Sequence, residues 1–176
     1  MEKMTIAAPS PPRPLRESDD RSQFDCGRAS LNDWFRRRAW INHLNDVSRV
    51  NVMTAGDTGL IVAYVAMSAA QIERAYLPKP QQRNRPDPVP VLLLGPLAVD
   101  KACQGRGYAA DLLFFAFETA LRVSEIIGGA GLVTHPLDDK ARSFYARWGF
   151  CELPYDPRRA MIIRMADLRA SFAGRS

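Results

Sequence analysis

The chain has 176 residues, 47% of them hydrophobic and 24% charged, and 24 Lys and Arg against 19 Asp and Glu leave a net charge of +5. Those values are typical of a soluble globular protein with a single core. No apolar run nears the roughly 20 residues that cross a bilayer, and the Pro-rich start has no signal-peptide core, so the expected compartment is the cytoplasm. Cys26, Cys103 and Cys151 are odd in number, far apart and without metal-ligand spacing, which fits a reducing compartment and argues against a zinc site; no metal is expected. Only four of the basic residues are lysine. Arginine's planar fork suits phosphate, but a GC-rich genome gives the same bias, and composition does not separate the two.

In chain order, residues 1–14 are Pro-rich and aperiodic, a flexible or extended lead-in. Ser30 precedes an apolar stripe at Leu31, Trp34, Phe35, Ile41 and Leu44, with Asp33 where a capping-box acid would stand. The spacing predicts one helix over residues 30–44. Arg36, Arg37 and Arg38 fall largely on its outer side, as a solvated face or as a nucleic-acid contact. Residues 48–55 and 60–69 read as a β-hairpin. Residues 74–90 are polar and broken by five prolines, a long irregular loop. Residues 91–99 form the central strand, and Gly95-Pro96 inside it predicts a bulge or splay. A helix over 112–127, a strand over 130–135, a short helix over 138–148 and two last strands at 150–154 and 160–165 follow. From Asp167 onward a frayed turn is expected. The organisation is one domain over residues 15–170, between the lead-in and a tail at 171–176.

The stretch at 97–111 organises the rest. An apolar strand leads into Gln104, Gly105, Arg106, Gly107, Tyr108 and Ala109, and a helix follows. Such a turn lacks bulk, and the helix behind it offers unpaired N–H groups and a positive dipole end to an anion, which makes it a phosphate cradle. A bare G-x-G turn also serves backbone geometry alone. Neither a P-loop nor a dinucleotide G-x-G-x-x-G pattern is present.

These six residues fit the pattern of Arg or Gln, two residues of any kind, Gly, one of any kind, then Gly or Ala, preceded by Leu97-Ala98-Val99-Asp100. On that basis the chain resembles the GNAT acetyltransferases. The resemblance implies an α/β (α+β) fold: a mixed twisted sheet of about six to seven strands, splayed between its two central parallel strands and flanked by helices. It implies acetyl-CoA as cofactor. Leu97, Ala98 and Val99 would meet the pantetheine arm, residues 104–109 the diphosphate, and Phe144 the cofactor, while Tyr145 would be the acid that protonates sulfur. An aromatic at helical spacing is otherwise core packing. The central strand holds no Glu, Asp or His. A lysine amine, with a pKa of about 10.4, needs a strong base, whereas an α-amine near 8 needs much less help.

A closer resemblance covers residues 14–168. Phe24-Asp25-Cys26-Gly27, Leu31-Asn32-Asp33-Trp34, Ser48-Arg49, Ala141-Arg142-Ser143-Phe144-Tyr145 and Gly149-Phe150 are similar to the GNAT-type toxins of bacterial toxin–antitoxin modules. That family acetylates the α-amine of aminoacyl-tRNA, blocks translation, often forms homodimers, and is restrained by a ribbon-helix-helix antitoxin. Arg36, Arg37, Arg38, Arg49, Arg83 and Arg85 then become candidates for tRNA phosphates, on charge alone. Family members carry arginine ahead of Leu-Ala-Val-Asp, where this chain has Pro96. The alternatives are a GNAT enzyme acting on a protein N-terminus or small amine, and an inactive acyl-CoA-binding relative.

Overall fold

The computed structural model describes residues 7–173; the first six residues of the expected lead-in and the last three of the expected tail lie outside them. The chain divides into two compact units. One holds the chain up to Met67 together with Pro96–Ala116, the other Ser68–Gly95 and the chain from Phe117 on.

In the first unit, β1 (Arg13–Pro14) pairs antiparallel with β2 (Arg49–Thr54), and β2 with the start of β3 (Ile61–Ile72). Of the flexible and extended alternatives for the lead-in, the described part is extended and tied down from Pro9 on. Pro9 bridges to Ala55, and the Ser10 N–H donates to the Thr54 carbonyl at 2.7 Å. The reason is that β2 would otherwise expose an unpaired edge, and an edge strand tolerates proline. Arg13 fixes the entry by a two-pronged contact with Asp19, at 2.9 and 2.7 Å.

The expected single helix is two: α1 (Ala29–Arg37) and α2 (Ala39–Leu44), broken at Arg38. Ser30 is not its cap; Arg28 holds that position with extended backbone, and Asp33 is not in the first turn. The apolar face is as the stripe predicted. Phe35 is fully buried and stacks on Tyr64 with ring centroids 4.2 Å apart, while Phe24 meets both rings edge-on at 5.0 and 5.2 Å. Burying each such ring contributes about 2–3 kcal/mol. The Tyr64 hydroxyl donates to the Leu31 carbonyl at 2.8 Å, so the buried phenol is satisfied.

Helix α3 (Tyr108–Ile127) starts in the first unit and ends in the second, which also holds the end of β3, most of β4 (Val89–Val99), β5 (Gly131–Thr134), α4 (Asp139–Arg147), β6 (Cys151–Glu152) and β7 (Met161–Arg164). The helix α3 starts four residues ahead of the expected 112, directly after the glycine turn. Strands β4 and β5 are parallel, with Leu92 to Leu94 opposite Leu132 to Thr134. Val91, Val133 and Ile162 share one apolar cluster with Leu77, Leu153 and Ala160. The two-residue period sends Leu92, Leu94, Leu132 and Thr134 to the other face. The C-terminal turn expected to fray is a helix, α5 (Met165–Ala173), seated by buried Met165 and Leu168 and by Arg164 gripping Asp167 at 2.8 and 3.0 Å. Strand β7 runs into it without a turn residue, so the sequence carries no boundary signal there.

The seven strands stand in the order β1-β2-β3-β4-β5-β7-β6, a mixed sheet within the expected six to seven. Among the described residues, no helix is long and apolar enough to cross a membrane.

Candidate active site

Strand β4 carries the first element. Its pairing with β5 ends at Leu94, and Gly95 follows with φ +139°, a conformation side chains rarely adopt. Beyond it, among the described residues, no strand pairs with β4 on that side, so Leu97, Ala98 and Val99 keep an open backbone edge there. Gly95-Pro96 was expected to give a bulge or a splay, and an extended ligand bearing amides can pair along an open strand edge.

The second element is the turn at 104–109. Gly105 and Gly107 have φ of +79° and +85°, with open space where a Cβ would stand. Among the described residues, none of the amides from Gln104 to Ala109 donates to another backbone group; the first such bond runs from Asp111 N–H to the Gly107 carbonyl, at 3.1 Å. A run of unpaired N–H groups at the start of a 20-residue helix fits a diphosphate. The contribution is from the backbone. The Tyr108 side chain is buried, and the Gln104 amide donates to the Cys26 and Val99 carbonyls, both at 3.0 Å. Arg106 is exposed.

The Gln104 contact exposes a feature that the sequence marked only as a family signature. Phe24 is anchored among the aromatic rings, and Asp25 beside it is the hub of a latch. Asp25 accepts from the Gly27 N–H at 2.8 Å and the Asn32 amide at 2.9 Å, and pairs with Lys101 at 2.9 Å. Asn32 in turn accepts the Cys26 N–H, and Asp100 accepts the Asp25 N–H. Lys101, Asp100 and Gln104 lead directly into the cradle, so this network sets where the turn begins. The Lys101 ammonium foremost, then the Gly27 N–H and the Asn32 amide, hold the Asp25 carboxyl well below the usual carboxylate range. A lowered folded-state pKa gives stability that is present above the unfolded value and is lost as pH falls through the folded one. Asp25→Ala is therefore expected to lower the melting temperature at neutral pH, with the gap to wild type closing only in strong acid; thermal melts across pH check this.

The third element is Tyr145 on α4, which Asp138 caps by accepting the Ala141 N–H at 2.8 Å. Tyr145 is buried, edge-on to Phe144 and Phe150 at 5.3 Å each. Burial raises its phenol pKa, opposed by a hydrogen bond with the Thr134 hydroxyl. The phenol therefore keeps its proton through the neutral range and can donate it. Phe144 is half-buried.

The arginines fare unequally. Arg36 donates to the Phe24 carbonyl at 2.6 Å, and Arg49 to the His43 carbonyl at 2.8 Å and Asp46 at 2.6 Å, so both are occupied locally. Arg37, Arg38, Arg83 and Arg85 are exposed and, among the described residues, have no side-chain partner.

The second unit also holds a cavity of about 320 Å³, lined in part by Ile72, Leu93, Val133 and His135. The sequence reading gave His135 no role.

Residues 48–152 match the family model described as an acetyltransferase (GNAT) domain. A tRNA-acetylating toxin of Mycobacterium tuberculosis is 40% identical over 161 residues, covering 92% of this chain and 95% of its own. Solved structures of AtaT are similar in three states. AtaT complexed with acetyl-methionyl-tRNAfMet superposes with a TM-score of 0.85 at 26% identity, covering 94% of this chain and 99% of that one. AtaTR bound with acetyl-CoA gives 0.81 at 28%, covering 93% and 98%. A tyrosine-to-phenylalanine mutant bound to the C-terminus of the antitoxin AtaR gives 0.79 at 25%, again covering 93% and 98%.

Proposed function

This chain belongs to the GNAT acetyltransferase family, and from that premise we propose that it is a toxin that moves an acetyl group from acetyl-CoA to the α-amine of aminoacyl-tRNA, blocking translation. The single observation that carries the reading is the run of unpaired amides at 104–109 behind a splayed strand edge. Acetyl-CoA, when bound, supplies an activated thioester.

The chain's own residues do the rest. The amides of Gln104 to Ala109 hold the diphosphate and the Leu97 to Val99 edge takes the pantetheine amides, with Phe144 against the arm. Tyr145 delivers a proton to the departing sulfur, the task for which its raised pKa keeps it protonated. An α-amine acceptor agrees with a β4 that carries no carboxylate or imidazole. Arg37, Arg38, Arg83 and Arg85 supply free cations for RNA phosphates, a contribution that falls with salt.

The partners in this reading are the tRNA, a second copy of the chain, and a ribbon-helix-helix antitoxin whose acidic tail an arginine-rich surface attracts; the setting is the cytoplasm. AtaT bound to the C-terminus of its antitoxin supports the antitoxin part. Pro96, where family members usually carry arginine, leaves two other readings, a peptide N-terminus or small amine as acceptor and a relative that binds acyl-CoA without turnover. Incubation with radiolabelled acetyl-CoA and bulk aminoacyl-tRNA is expected to label the RNA fraction. Label confined to free amines or peptides rejects the tRNA acceptor.

A further inference from the structure

Val133 and Thr134 end β5 with side chains on opposite faces, and His135 is the next residue of the chain. On one face the hydroxyls of Thr134 and Tyr145 are paired. On the other, His135 lines the cavity together with Leu93 and Val133, which share the alternate positions of β4 and β5. Acyl transfer has the same polarity: an amine approaches the carbonyl from one side while sulfur is protonated from elsewhere. At about 320 Å³ the cavity is within the range of small-molecule sites.

We propose that this cavity seats the acceptor's α-amine with its attached side chain, and that His135 takes the ammonium proton. The inference rests on the α-amine acceptor put forward above and deepens it. The two carboxylates at the cavity are committed. Asp156 accepts the Arg158 and Ala160 N–H groups, each at 3.0 Å, and Glu73 is hydrogen-bonded to the Tyr76 hydroxyl. Among the described residues the His135 ring has no hydrogen-bond partner. Burial first, then the Arg158 guanidinium, lowers its pKa against the opposing pull of Asp156, so the imidazole is neutral near pH 7 and free to accept a proton.

The protons balance. The ammonium gives one to His135, which passes it to water. As the N–C bond forms and the C–S bond breaks, sulfur takes one from Tyr145, and the second nitrogen proton restores the phenol. One proton is released per acetyl moved.

His135 is exposed enough that His135→Gln should fold as wild type does. The wild-type rate is expected to exceed the variant's by about 10²-fold at about pH 6.5, the ratio falling toward one near pH 9, where the amine is already neutral. A ratio that does not change with pH overturns the base. The chain has two histidines, which makes their imidazole NMR signals assignable through the same variant. Puromycin, an aminoacyl-nucleoside with a free α-amine, added to the protein alone should shift the His135 signal and not that of His43, whose ring accepts the Val50 N–H. An unmoved His135 signal overturns the cavity as the amine's seat. Should wild type label no tRNA, the acceptor reading fails by itself, and the rate ratio is read with puromycin as acceptor.

Discussion

Replacing Tyr145 with phenylalanine is expected to slow acetyl transfer by about 10²-fold or more while leaving acetyl-CoA affinity, measured by calorimetry, at its wild-type value. The ring carries the packing, edge-on to Phe144 and Phe150, and the substitution retains it. What is lost is one hydroxyl and its pairing with Thr134. Because burial keeps that hydroxyl protonated, wild-type activity should not decline on the alkaline side at the pKa of an ordinary phenol, near 10. Unchanged turnover in the variant would remove Tyr145 from the chemistry.

Gly107→Val is expected to weaken acetyl-CoA binding by about 10²-fold. A β-branched residue at φ +85° carries about 1–3 kcal/mol of strain, and its side chain enters the open space that the unpaired amides border. Gly59→Val serves as the control. It has φ +76° and equally open surroundings, but sits in the β2–β3 turn. Both variants should lose stability on thermal melting, and only Gly107→Val should lose acetyl-CoA. Equal affinities in the two would show that the cradle does not hold the diphosphate.

Part of the candidate site was legible because glycine and proline constrain the backbone. Gly105 and Gly107 marked a turn with positive φ, and Gly95-Pro96 an irregularity in β4, since each constrains the backbone independently of what surrounds it. The same logic failed where tertiary partners decide. Ser30 looked like a helix cap, yet the cap lies two residues earlier, at Arg28, where Asn32 is held by the Cys26 N–H and Asp25. Arg36 and Arg49 are exposed, as are Arg37 and Arg38, but nearby carbonyls also accept from them, which the sequence does not indicate. Asp25 was a marker without a mechanism, because its partners at Asp100 and Lys101 are 75 residues or more along the chain. His135 carries no local signal for a related reason: it reaches the cavity beside Leu93 of β4 only because β4 and β5 pair, and it stands one residue beyond β5.

The most direct test joins the cradle, the acid and the acceptor in one product. Aminoacyl-tRNA incubated with the protein and acetyl-CoA, then digested with nuclease, should release aminoacyl-adenosine carrying one added acetyl mass on its α-nitrogen, and Tyr145→Phe should yield little of it. Aminoacyl-adenosine recovered unmodified from an enzyme that acetylates other amines, or that binds acetyl-CoA without turnover, would contradict the account.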